Sequence, residues 1–179
     1  MFSTDRITLR KVTEEDTEIY HKWRNNPEVM KSTSPVMDQY SKSETAAFIQ
    51  MILGANDAKS YMIELKETGS PIGIISLIHI DYKNRNAECV IDLGEADQWG
   101  KGFGKEAMQL LLSYAFEELN LHKVYLRVFS FNERAVRLYE KLGFEKEGEQ
   151  QDQLFRGGEW HSVILMGIFQ KSFLSNGKY

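Results

Sequence analysis

Gly100, Gly102 and Gly104 fall at alternate positions between an apolar run at 89–93 and a helical pattern that carries Ala107, Leu110, Leu111, Tyr114 and Ala115. Spacings of three and four mark the second stretch as a helix, so the order is strand, glycine loop, helix start. Glycine lets the backbone turn tightly and leaves no side chain between its N–H groups and a ligand. A helix start adds N–H donors that lack intrahelical partners, and the positive end of a dipole. Together these make an anion site, most often for phosphate. The same glycines also fit a turn that needs them only for its shape, so the rest of the chain has to decide.

Two phosphate chemistries fail on their own spacing. Gly102-Phe103-Gly104-Lys105-Glu106-Ala107 fits the G-x-G-x-x-A pattern of dinucleotide sites, which needs an acid at the end of the next strand. That strand ends in Val128-Phe129-Ser130 and offers none. A Walker loop needs Ser or Thr after Gly-Lys, and Gly104-Lys105 is followed by Glu106. His21, His79, His122 and His161 are scattered without metal-ligand spacing, so no metal is expected. They read as structural or surface residues, with His161 a low-ranked candidate for the acceptor site. The single Cys89 cannot form an internal disulfide. Trp23 and Trp160 read as packing residues.

The elements that position the loop can be read in chain order. Residues 6–12 alternate as a strand. Thr13 and Asp16 form a capping-box-like start for a helix to about Asn25, stopped by Asn25-Asn26-Pro27. The stretch 28–43 reads as irregular, 44–53 as a second helix ended by Gly54, and 60–66 and 72–82 as strands. Lys83-Asn84-Arg85-Asn86 is a hairpin turn, and 87–93 returns as a strand. The helix after the loop runs to about Leu119 and is followed by a strand at 123–129. A helix at 133–142 has Asn132 as its cap and Gly143 as its stop. From Phe144 the chain is polar up to Gln153-Leu154-Phe155. Arg156-Gly157-Gly158-Glu159 is a tight turn, 160–169 is the last strand, and the tail 175–179 is expected to fray. Hairpins beside a strand–helix–strand unit predict an α/β (α+β mixed) fold: a mostly antiparallel twisted sheet of about seven strands with helices on both faces.

The composition fits one globular domain over 1–179. The chain is 42% hydrophobic and 27% charged, without repeats or a linker-like stretch. The net charge of −4 and the absence of a basic block argue against nucleic acid as a partner. No apolar run approaches the ~18 residues of a membrane span, and the N-terminus lacks a signal-peptide pattern. A membrane partner is therefore not expected and a cytoplasmic location is. Homo-oligomerisation stays open.

Trp99-Gly100-Lys101-Gly102-Phe103-Gly104 lies on the Gln/Arg-x-x-Gly-x-Gly/Ala cofactor signature of the GNAT superfamily of acetyl-CoA-dependent N-acetyltransferases, and the chain resembles that family. The run Asn132…Ala135…Tyr139…Leu142-Gly143-Phe144 resembles its second signature. Trp99 stands in the Gln/Arg place, as in the branch that acetylates ribosomal-protein N-termini. Leu9-Arg10 and Trp23-Arg24-Asn25-Asn26-Pro27-Glu28-Val29 resemble the same branch, and Gly148 through Met166 also resembles polyamine acetyltransferases.

The resemblance implies acetyl-CoA as cosubstrate. Its pyrophosphate would lie on Trp99, Gly100, Lys101, Gly102, Phe103, Gly104 and Lys105. Its pantetheine arm would pair with Ile91, Asp92 and Leu93, where a backbone N–H near Leu93 would stabilise the oxyanion. The amine acceptor would attack the thioester directly, in a ternary complex, with no covalent enzyme intermediate. Tyr139 is the implied general acid for the leaving thiolate. Glu88 is the best carboxylate for a base, against a reading as a half-exposed strand residue paired with Arg85 or a lysine. Asn132, Arg137 and Lys141 are cofactor candidates that read equally well as a helix cap and a solvated helix face. The early helices should choose the acceptor. There Met30-Lys31-Ser32-Thr33-Ser34-Pro35-Val36 lacks the acidic run a polyamine would want, leaving Glu28, Asp38 and Glu44. A peptide N-terminus, a polyamine and an amino sugar remain compatible. The competing class is a domain that binds acetyl-CoA as a sensor or scaffold without turnover; an absent acid would favour it, and Tyr139 is present.

Overall fold

The computed structural model describes residues 1–175, so the expected fraying of 176–179 lies outside the described residues. Seven strands form one sheet: β1 (Ile7–Lys11), β2 (Lys59–Leu65), β3 (Pro71–Asp81), β4 (Asn86–Leu93), β5 (Lys123–Phe129), β6 (Glu145–Arg156) and β7 (Glu159–Phe169). Their order is β1-β2-β3-β4-β5-β7-β6. The β4–β5 pair is parallel, and β1–β2, β2–β3, β5–β7 and β6–β7 are antiparallel. This is the mixed, mostly antiparallel sheet that the alternation of strands and helices implies. The residues group into two compact units, Met1–His79 with Val90–Leu111, and Ile80–Cys89 with Leu112 onward.

In the first unit, Ile7 and Leu9 are buried and alternate with Thr8 and Arg10 along β1. A 3₁₀ turn, Glu14–Asp16, leads into α1 (Thr17–Arg24), with Thr13 and Asp16 forming the capping box. Asp16 is buried, and its two oxygens accept from Arg10 Nη1 and Nη2 at 2.9 and 2.7 Å. That fork ties the start of α1 to β1. A helix, α2 (Pro27–Thr33), begins at the proline read as a stop and runs into the stretch read as irregular. Asn26 caps it by accepting from the Glu28 N–H at 3.0 Å, and Pro27 sits in its first turn. Proline both ends one helix and suits the first position of the next, where its missing N–H costs nothing. Next comes α3 (Lys42–Gly54), capped by Ser41 and Glu44. Trp23 of α1 and Ile49 of α3 pack with Val12, Met62 and Ile74. Burial of each such side chain stabilises by roughly 1.5–3 kcal/mol.

In the second unit, β5 buries Val124, Leu126 and Val128 on one face. The polar stretch after Phe144 is a twelve-residue strand, β6, with only Leu154 buried. It lies at the sheet end beside β7, where one-sided burial removes the apolar signal. Gly157 and Gly158 have φ of 63° and 87°, as the tight turn between β6 and β7 requires. The helix after the loop, α4 (Phe103–Ser113), does not run to Leu119 as an α-helix. It continues as a π segment, Tyr114–Glu118, with the Leu119 N–H donating to the Tyr114 carbonyl at 3.1 Å. After it come α5 (Glu133–Lys141) and α6 (Gln170–Ser175). The last helix lies between the last strand and the expected tail and reaches only its first residue, Ser175. Gln170 Nε2 donates to the Phe116 carbonyl at 2.7 Å, and the Phe173 ring lies 5.3 Å from that of Phe116.

Candidate active site

The glycine loop belongs to the first unit. Gly94 follows β4, and a Cβ there would lie 2.1 Å from Trp23 Cδ2, so only glycine fits. Trp99 Nε1 donates to the Leu93 carbonyl at 2.9 Å and so ties the loop to the end of β4. Gly100 and Gly102 have φ of 77° and 90°, a region that side chains make costly. The chain then enters α4 at Phe103, with Gly104 and Lys105 in its first turn. Here a helix start carries N–H donors that the helix itself does not use.

Three residues not singled out in the sequence brace this loop. Arg6 Nη2 donates to the Lys101 carbonyl at 3.0 Å, and Arg6 Nε to Glu106 Oε1 at 2.7 Å. The Arg6 guanidinium sits 4.5 Å from the Phe103 ring centroid. Thr4 Oγ1 donates to Glu106 Oε2 at 2.7 Å. Roughly a hundred residues separate these partners, and no local pattern joins them.

The same unit holds a cavity of about 290 Å³ whose walls include Tyr20, Trp23, Arg24, Tyr40, Phe48 and Asp92. Tyr20 stacks on Phe48 at 5.4 Å with an interplanar angle of 7°. The Arg24 guanidinium lies 3.6 Å from the Tyr40 ring centroid and 4.9 Å from that of Phe48. Burial pushes the Asp92 carboxyl up to about 7, and burial together with the Asp92 charge raises the Tyr20 hydroxyl. Asp92 thus has a side-chain environment that its strand position did not reveal. Glu28 and Asp38 are exposed. Glu44 is exposed too, and its carboxyl accepts from the Ser41 N–H and hydroxyl at 2.7 and 2.8 Å, which hold it below its ordinary value.

The remaining candidates lie in the second unit. Glu88 is buried rather than half-exposed, and its partner is Arg127, whose Nε approaches Oε1 to 3.0 Å. The parallel register sets Glu88 opposite Tyr125, and Arg127 is two residues along on the same face. Arg85 instead donates to the backbone carbonyl and Oδ1 of Asn120 at 2.7 and 2.9 Å. Asn132 caps α5, accepting from the Ala135 N–H at 3.2 Å. Tyr139 is buried on α5, its ring 5.9 Å from that of Phe144. Arg137 pairs with Glu133 at 3.0 Å on an exposed face, and Lys141 is exposed. Cys89 is buried and its thiol is pushed up to about 12, which suits a packed strand residue. Trp23 is 3% exposed and packs as expected, whereas Trp160 is 60% exposed and touches Phe155 across the β6–β7 hairpin. His161 lies edge-on to Phe131 at 4.9 Å.

Among the described residues no group of three or more His, Cys, Asp or Glu could hold a metal ion. No helix among them is long and apolar enough to cross a membrane.

Residues 6–145 match the family model of the acetyltransferase (GNAT) domain. The spermidine N(1)-acetyltransferase of Escherichia coli strain K12 is 31% identical over 184 residues, covering 99% of this chain and 94% of that one. An uncharacterised N-acetyltransferase, p20, of Bacillus licheniformis is 32% identical over 172 residues, covering 95% and 96%. The crystal structure of spermidine N-acetyltransferase from Vibrio cholerae in complex with CoA and spermine superposes with a TM-score of 0.87 at 32% identity, over 96% of this chain and 99% of that one. With the glycine loop at the start of α4 and the capped α5 both in place, the chain belongs to the GNAT acetyltransferase family and is an acetyl-CoA-dependent N-acetyltransferase.

Proposed function

We propose that the chain, acting as one domain, transfers the acetyl group of acetyl-CoA directly to a primary amine in a ternary complex. The observation that carries this reading is the loop at 99–105, where glycine backbone and a helix start offer N–H donors to a pyrophosphate. Lys101 and Lys105 add charge. The β4–β5 pairing spans Asn86–Glu88, so the backbone of Ile91, Asp92 and Leu93 lies beyond it. That backbone is the proposed partner of the pantetheine arm, with an N–H near Leu93 for the oxyanion. Asn132, Arg137 and Lys141 are the proposed further contacts.

Acetyl transfer to an amine expels a thiolate that needs a proton. Tyr139, whose phenol can supply that proton, is the proposed donor. Spermidine is the first acceptor to test because the E. coli relative is named for it. A peptide amine and an amino sugar belong in the same panel. Tyr139→Phe tests the acid: turnover should fall about 100-fold or more, while acetyl-CoA binding by calorimetry stays within about twofold. Unchanged turnover would remove Tyr139 from this role.

A further inference from the structure

An alkyl ammonium, with a pKa of about 10, must lose a proton before its nitrogen can attack. The sequence points to Glu88 for that step, but the Glu88 carboxylate is buried against the Arg127 guanidinium. Asp92 differs. Its side chain stands in the wall of the aromatic cavity, beside Tyr20, and desolvation there pushes its carboxyl up. A cavity of about 290 Å³ has room for the end of an aliphatic amine, and aromatic rings favour a cation beside them.

We propose that Asp92 is the general base of the transfer, its carboxylate receiving the acceptor's ammonium in the aromatic cavity and taking its proton. The inference rests on the amine-acetylation reading above. The ammonium N–H bond breaks, and its proton goes to an Asp92 carboxylate oxygen. The freed lone pair forms the C–N bond at the thioester carbonyl. The C–S bond then breaks, and the sulfur leaves with the Tyr139 proton. The amide nitrogen loses its second proton, which restores Tyr139 through solvent, and Asp92 releases its own proton to solvent. Net, one ammonium and acetyl-CoA give one amide, CoA thiol and one proton.

A base works best when its pKa lies near the operating pH, and desolvation brings the Asp92 carboxyl to about 7. The titratable and charged groups that share the cavity are Tyr20 and Arg24 of α1 and Tyr40 before α3. Burial keeps the Tyr20 hydroxyl neutral at such pH. The Arg24 charge rests against the Tyr40 and Phe48 rings.

The test is the pH profile of kcat/KM for spermidine, or for the fastest panel amine, at saturating acetyl-CoA. Wild type, Asp92→Asn and Glu88→Gln are compared. Wild type should show an acidic limb near pH 7. Asp92→Asn should lose that limb and about 100-fold in rate at pH 7, with the deficit shrinking as pH approaches the amine's own pKa. Its KM for acetyl-CoA should not move. Glu88→Gln should keep the limb even if its rate falls. Should Asp92→Asn lose acetyl-CoA binding, Asp92→Glu decides, and a restored limb is expected. A wild-type profile in Asp92→Asn, loss of the limb in Glu88→Gln, or no limb in Asp92→Glu where that variant decides overturns the assignment. If wild type acetylates no amine at all, the amine-transfer reading itself fails, and Asp92 falls with it.

Discussion

The glycine loop and the aromatic cavity sit in one compact unit and are built by opposite means. The loop uses backbone: Gly100 and Gly102 take positive φ, and Arg6 Nη2 and Trp99 Nε1 donate to the Lys101 and Leu93 carbonyls. The cavity uses side chains: stacked rings, one guanidinium lying on them and a carboxylate in the wall. A site made of backbone tolerates side-chain change and is sensitive to φ. A site made of side chains depends on the helices that carry them. The two should therefore break separately, and in different measurements.

The largest separation is expected at the cavity's foundation. Asp16→Asn removes the buried partner of a part-buried ion pair at the start of α1, which carries Tyr20, Trp23 and Arg24. Arg10 stays part-exposed and paired with Glu64, so the loss is that of the charged hydrogen bonds to Asp16, about 1.5–3 kcal/mol, read as a lower midpoint in urea. Although burial alone would raise it, the bonds from Arg10 and Thr13 hold the Asp16 carboxyl below its ordinary value. Its contribution is therefore present above the ordinary carboxylate range and lost as pH falls through the depressed native value. The wild-type advantage over Asp16→Asn should shrink on acidification, and an advantage independent of pH would contradict the pairing.

A smaller effect should fall on the loop. Gly102→Ala places a Cβ at φ of 90° and 3.2 Å from Arg6 Nη2. Left-handed backbone costs a side-chain residue about 1–2 kcal/mol, so Kd for acetyl-CoA should rise about tenfold while the acceptor KM holds. An equal rise in both would erase the separation. The smallest effect is Arg6→Ala. Arg6 is half-exposed, and such pairs are worth about 0.2–1 kcal/mol. A two- to fivefold weaker acetyl-CoA Kd, shrinking in high salt, is expected, with the acceptor KM again unmoved.

The sequence carries these two regions unequally, for the same physical reason. Glycines announce a backbone site because few other residues adopt its φ, and the strand, loop and helix around Gly100–Gly104 read directly from local pattern. The cap at Asn132 and the stop at Gly143 read equally well, Gly143 having φ of 93°. Where one residue serves two purposes the pattern fails. Pro27 reads as a stop and also begins α2, and the polar run after Phe144 hides β6 because an edge strand buries little. Side-chain partners far apart in the chain leave no local trace. Glu88 finds Arg127 through the parallel register, Glu106 finds Arg6 and Thr4, and Asp92 meets Tyr20 and Tyr40 only in the cavity wall.

The most direct single measurement is CoA-thiol release from acetyl-CoA by wild type, with spermidine, an amino sugar and a peptide amine each varied against acetyl-CoA. Amine-dependent release with intersecting double-reciprocal lines is the predicted result, as direct transfer in a ternary complex requires. Parallel lines, with an acetylated enzyme forming in the absence of amine, or no amine-dependent release, would contradict it.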